Sequence, residues 1–292
     1  MENKQLDIDI LQQRKALYAS ALRDFAASSV AFRVLRSIPS SDPPSSSPTK
    51  TLYVLDSSFN PPSRAHMRIA TSALHHDRGA RPHRFLLLFA TQNADKAPRP
   101  ASSEDRLVMM TLFALELQQE IGRSLGEIGP TVDIGVIKLP YYHDKAVAID
   151  ESGIYEGHPQ QVHLMGFDSI IRIFNTKYYP PAYTLAPLGP LLTKHRLRVT
   201  YRTDDQWGGR EEQKKYIQDI ADGLRENEGA KREWASGIEL VDGKADGEEV
   251  VSSTQARKAA NEDPSSLGKY VTRSVQEWIL SERLYREGDP NK

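Results

Sequence analysis

The chain has 292 residues, 39 % hydrophobic and 26 % charged, enough to bury roughly three quarters of the surface its unfolded form exposes. Lysine plus arginine number 38 against 39 acidic residues, a formal charge of −1; a protein that coats a polyanion needs a surplus of cations on one face, so no nucleic-acid partner is expected. There are no cysteines, which removes disulfides, thiolate metal sites and thiol nucleophiles together.

The opening stretch MENKQLDIDILQQRK lacks the apolar core of a secretory signal, and no run approaches 18 apolar residues. Neither a leader nor a membrane span is therefore expected, and a cytoplasmic and/or nuclear protein is. From Leu6 to Leu35 apolar residues recur at helical spacing, which predicts one long or two short amphipathic helices. Ile38 to Lys50 is almost all Ser, Pro and Asp and reads as a linker. The expected division is a helical extension over 1–37, a linker over 38–50 and a body over 51–292.

In the body, β-rich runs alternate with helical patterns. Strands are predicted at Thr51–Asp56, Arg84–Ala90, Val132–Leu139, Val162–Met165, Leu197–Tyr201, Ile238–Val241 and Val250–Val251. Helices are predicted at Arg64–His76, Ser103–Ile121, Asp168–Phe174, Arg210–Leu224, Gln255–Ala260 and Tyr270–Leu284. Gly229–Glu249, rich in Gly and charge, reads as a surface connection. This alternation implies an α/β fold: a Rossmann-like, mainly parallel sheet with helices on both faces, plus the N-terminal helical extension. In such sheets ligands sit outside the carboxyl ends of the strands.

Three strand-to-helix junctions stand out. After Asp56 a Ser-Ser-Phe-Asn-Pro-Pro loop leads into a helix near Ser63, whose unpaired N–H groups suit an anion. Ser63 and His66 share one helical face; as ordinary structure they are an N-cap and a half-buried histidine. Ser252, Ser253 and Thr254 open a second helix with Arg257 and Lys258 near its positive end, a placement that an anion would favour and that is otherwise disfavoured. At the third, Gly166 allows close approach of a ligand or an unusual backbone angle, and Asp168 either caps a helix or accepts from ribose hydroxyls. Tyr178 and Tyr179 follow and can stack on a flat ring. Lys96, on a loop leaving the same edge, can offer a point charge to a phosphate.

These residues carry a resemblance. The sequence is similar to the nicotinamide mononucleotide adenylyltransferases of the nucleotidylyltransferase superfamily, whose signatures G-[ST]-F-N-P-x-[TH]-x-x-H and I-S-S-T-x-x-R correspond to Ser57–His66 and Val251–Arg257. Leu164–Asp168 resembles the family's L-x-G-x-D, and LGKYVTRSVQEWILSERLY its carboxyl-terminal helix, so the match runs in order from Leu52 to about Tyr285. The resemblance implies a nucleotidyltransferase that joins ATP to nicotinamide mononucleotide (NMN), giving NAD and pyrophosphate by in-line attack of the mononucleotide phosphate on the α-phosphorus. Carried over by position, His66 would hold phosphate in transfer and Lys96 would contact it. Ser57, Ser58, Phe59, Ser63 and Gly166 would line the nucleotides, and Asp168 would bind the ribose. Tyr179 would stack on the nicotinamide ring where the family has tryptophan, and Ser253, Thr254 and Arg257 would clamp the triphosphate. Mg²⁺ would arrive with ATP, with no all-protein metal site. Ser57 stands where the family has glycine, so it is expected to crowd the nucleotide or to need a positive φ. Transfer to another phosphorylated acceptor, and a nucleotide-binding regulator or weak ATPase docking through its amino-terminal segment, are the alternatives.

Overall fold

The structure, a computed structural model, describes residues 7–39, 48–76, 79–92, 101–125, 129–202, 207–243 and 251–286. Seven strands form one sheet in the order β1 (Phe32–Ile38), β4 (Val132–Ile137), β3 (His83–Ala90), β2 (Thr51–Asp56), β5 (Gln160–Gly166), β6 (Arg196–Thr200), β7 (Ile238–Val241). All neighbours are parallel except β1, which runs antiparallel to β4. The winding reverses between β2 and β5, and the crevice beyond their carboxyl ends is where such sheets bind ligands.

The middles of the central strands β2 and β3 are near-continuous apolar runs, Leu52–Leu55 and Phe85–Ala90, because both faces are covered. Tyr53, Leu55, Phe85, Leu87 and Phe89 face one layer, formed by α1 (Ile8–Ala27), α2 (Arg64–His75), α3 (Ser103–Leu125), α8 (Ser253–Glu262) and α9 (Arg273–Ser281). Leu52, Val54, Leu86 and Leu88 face the opposite side with Ile149 of α4 (Tyr142–Glu151). A second cluster around β6 gathers α5 (Phe167–Ile173), α6 (Gly189–Lys194) and α7 (Arg210–Ala221) about Trp234. No helix among the described residues is long and apolar enough to cross a membrane.

The structure departs from the predicted elements in several places. The predicted helix through Leu35 stops at Ala27, where Ser28 bonds back to Asp24 and Phe25 and Lys138 donates to the carbonyls of Ala26 and Ser28, satisfying groups a helix end leaves open. The next residues form β1, seated where Gly135 of β4 leaves room: a Cβ there would lie 2.9 Å from the Phe32 ring. Ile38, placed in the linker by composition, is the buried end of this strand; residues 40–47 lie outside those described. The stretch between Leu139 and Val162, left without an element, contains α4, its inner side carrying Lys145, Ala146 and Ile149. Of the predicted Val250–Val251 strand, Val250 lies outside the described residues and Val251 is in no strand, leading directly into the Ser252 cap of α8.

Behind the site, α4, β5 and His195 at the end of α6 are tied by a buried polar network. The Gln161 side-chain amide donates from Nε2 to Ala146 O and Asp150, and its Oε1 faces His163 Nε2 at 3.0 Å, while the Gln161 backbone N–H donates to His195 Nδ1 (3.0 Å). Burial, then the nearby His195 and Lys145, hold the His163 imidazole down at about 3. A histidine kept neutral this way adds stability above its free value near 6.5 and loses it as pH falls toward 3, because only the unfolded chain takes up the proton. Between pH 7 and pH 5 the wild type is expected to lose about 2 kcal/mol through this residue. Urea unfolding should show the loss reduced by that amount in His163→Leu; an equal loss in the variant would refute the assignment.

Candidate active site

The site is built on the loop between β2 and α2. Its carbonyls are gripped from behind by α8: Arg257 Nη1 donates to Asn60 O at 2.7 Å and Ser253 Oγ to Pro61 O at 2.8 Å. The Asn60 side-chain oxygen accepts from Ala101 N (3.2 Å) and the Tyr285 hydroxyl (2.9 Å). So held, the loop keeps Phe59 in the left-handed region at φ 44°, its ring fully buried, a conformation costing about 1–2 kcal/mol for a non-glycine residue. The strained position is thus Phe59 rather than Ser57, whose N–H continues the sheet to Leu88 O; the expected positive φ at Ser57 is not found.

Ser63 caps α2, and three residues on, His66 Nδ1 accepts its backbone N–H at 2.9 Å, standing in for the acidic residue of a capping box. The other ring nitrogen lies 3.0 Å from Ser57 Oγ, and the ring packs on Phe59 at 5.3 Å between centroids. Burial, then the positive Arg202, lower the His66 imidazole to about 4. It is therefore neutral at physiological pH.

Two compartments open on either side of this loop. One, about 310 Å³, is walled by Ser63, His66, Gly166, Arg202, Ser252 and Ser253, so the amino termini of α2 and α8 converge on it. The other, about 420 Å³, is walled by Ser58, Tyr141, Lys145, Arg172, Tyr178 and Tyr179. Asp56, Ser57, Asp168 and Ser169 border both. Asp168 Oδ1 accepts from Arg202 Nε at 2.7 Å, and Asp56 is paired with the buried Lys145. Among the described residues, Arg68, Arg202, Lys145 and Arg172 stand against two carboxylates in the walls, a surplus of positive charge. Such walls suit phosphates.

The structure brings together Ser57, Ser58, Ser63, His66, Gly166, Asp168, Tyr179 and Ser253. Gly166 has an ordinary φ of −86°; its role is space, since a Cβ there would lie 2.5 Å from Asp168 Oδ1 and 3.1 Å from Arg202 Nε. Phe59 packs behind the loop. Arg257 and Thr254, bonded to each other at 3.1 Å, line neither compartment. Tyr179 borders the second but is buried, its hydroxyl donating to Ile173 O; the half-buried Tyr178 borders it too. Lys96 lies outside the described residues. Sequence reading missed Lys145, Arg172 and Arg202. Arg202 follows a strand's carboxyl end, the rule that nominated the other junctions, and Lys145 sits in α4, whose Tyr142, Ala146 and Ile149 keep helical spacing.

No family model matches the chain. A protein of Schizosaccharomyces pombe (strain 972 / ATCC 24843), named "Putative nicotinamide mononucleotide adenylyltransferase", is 31 % identical over 270 residues, covering 92 % of this chain and 97 % of the relative. Two structures of Plasmodium falciparum nicotinic acid mononucleotide adenylyltransferase, one complexed with NaAD and one with APC, share the fold. Each has a TM-score of 0.51 at 14 % identity, over 81 % of this chain and 97 % of the other.

The grip of α8 on the loop sets an expectation for stability. Arg257→Ala removes a charge-assisted bond to a buried loop and should lower unfolding free energy by about 2 kcal/mol. Arg257→Lys should fall between, since one ammonium does not reproduce the guanidinium fork on Asn60 O and Thr254. Urea midpoints read both; an unchanged Arg257→Ala midpoint would remove the grip.

Proposed function

We propose, from the premise that this chain belongs to the nicotinamide mononucleotide adenylyltransferase family, that it transfers the adenylyl group of ATP to NMN, giving NAD and pyrophosphate. The observation that carries the reading is the shared wall: a nucleotide in each compartment would bring its phosphates together over Ser57 at the end of β2. ATP fits the compartment of His66 and Arg202, its triphosphate against the amino termini of α2 and α8. The mononucleotide fits the compartment of the tyrosines, with Lys145 and Arg172 for its phosphate and an aromatic wall for its ring.

The mononucleotide phosphate is already an anionic nucleophile at neutral pH, so attack on the α-phosphorus needs positioning and charge neutralisation rather than a strong base. The neutral His66 agrees with that, because its place is to hold a hydrogen bond rather than to carry a charge. Among the described residues no group of three or more His, Asp or Glu side chains could hold a metal, and Asp56 and Asp168 are each engaged by a cation. Mg²⁺ would enter with ATP and would supply charge neutralisation for the pyrophosphate leaving group.

Incubation of the purified protein with Mg-ATP and either NMN or nicotinic acid mononucleotide should release pyrophosphate and form the corresponding dinucleotide. Phosphate release with no dinucleotide would favour the nucleotide-binding regulator or weak ATPase instead. His66→Ala should lower kcat about 100-fold. In the second compartment, Tyr179→Ala should raise the mononucleotide KM while leaving that of ATP unchanged, and Tyr179→Phe should keep the wild-type value because the ring survives. A shift confined to the ATP KM would reverse the two compartments.

A further inference from the structure

His66 stands between two serines. The Ser63 backbone N–H donates to Nδ1 at 2.9 Å; an amide only donates, so in the neutral ring the proton resides on Nε2. That Nε2–H faces Ser57 Oγ at 3.0 Å. The serine oxygen accepts it and keeps its own O–H to give elsewhere. Ser57 is half-buried and borders both compartments, whereas His66 borders the triphosphate side alone. The hydroxyl therefore lies between the ring and the place where the two nucleotides meet.

We propose that Ser57 is the group that touches the phosphoryl in transfer, its hydroxyl donating to a non-bridging oxygen of the α-phosphate, and that His66 is a positioning residue acting through it. This rests on the adenylyl-transfer reading above. In the step, an oxygen of the mononucleotide phosphate forms a bond to the α-phosphorus. The bond from that phosphorus to the oxygen bridging to the β-phosphate breaks, and its electron pair leaves with pyrophosphate. No proton changes hands: the relay, Ser63 N–H to Nδ1 and Nε2–H to Ser57 Oγ, fixes the direction of one donor. A chain of such bonds polarises each member, so the last donor is strengthened where negative charge on the equatorial oxygens must be held.

The test compares full-length wild type, Ser57→Ala, Ser57→Gly, His66→Ala and the double variant Ser57→Ala/His66→Ala with Mg-ATP and NMN. Ser57→Ala is expected to lower kcat about 100-fold with little change in either KM, since it removes the donor and leaves a methyl group in its place. Ser57→Gly should recover most of the loss, because without a side chain the phosphate can close directly on Nε2–H. The double variant should be no slower than the slower single, as expected of groups acting in series. Wild-type kcat in Ser57→Ala would overturn the relay. Absence of dinucleotide from the wild type would overturn the adenylyl-transfer reading instead, and the relay is then read at equilibrium. On addition of Mg-ATP the ¹⁵N resonance of His66 Nε2 should move more in Ser57→Gly than in wild type; an equal movement in both would show that the ring meets phosphate directly and that no hydroxyl intervenes.

Discussion

The whole site hangs on two carbonyl oxygens. Asn60 and Pro61 expose their C=O groups away from the cleft, and the donors that meet them, Arg257 and Ser253, come from α8 nearly the full length of the body later in the chain. A buried carbonyl left unpaired is costly, so these bonds draw the end of the chain onto its beginning. They also hold Phe59 where an isolated peptide would not stay. With the loop fixed, Ser57 points its side chain at His66 and α2 starts at Ser63 facing the cleft. Without it, the carboxyl ends of the strands would carry the same residues with no common orientation.

Charge is arranged around this frame with little net excess. The chain as a whole is nearly neutral, yet its cleft walls carry more cations than carboxylates among the described residues. Asp168 and Asp56 orient Arg202 and Lys145 rather than cancel the field altogether. The cost of leaving Lys145 dry is met by its partner, as a buried charge requires. Arg202 in turn helps keep His66 uncharged. A neutral ring between fixed cations keeps its hydrogen-bond direction over a wide pH range.

Most of the parallel sheet was legible because its strands are short apolar runs punctuated by Gly, Pro and Asp, and the spacing of helical patterns forces crossovers. Phe32–Ile38 was not, because its two arginines and Leu35 continue a helical spacing by accident; only the missing side chain at Gly135, a hundred residues away, marks where it docks. Within the site, Ser63 and His66 could be paired because they are three residues apart on one helix, and the second serine-rich helix start was equally local. Arg202 and Lys145 could not be joined to Asp168 and Asp56, since those pairings arise only when separate crossovers bring strand ends together. The meaning of Ser57 was hidden for the same reason: its hydroxyl matters through the ring it faces. Arg257 was legible as a cation near a helix start, but its direction, toward the loop, depends on packing.

The antiparallel first strand has a consequence for synthesis. β1 leaves the ribosome long before the edge it will cover, since β4 begins only at Val132; at cellular elongation rates the interval is on the order of ten seconds. During that time a seven-residue segment of β-forming sequence waits without its mate. Arg33 and Arg36 interrupt its apolar run, as gatekeeper charges do in segments that would otherwise recruit a neighbouring nascent chain. The same arginines that disguise the strand as helix protect it from aggregation until its edge arrives.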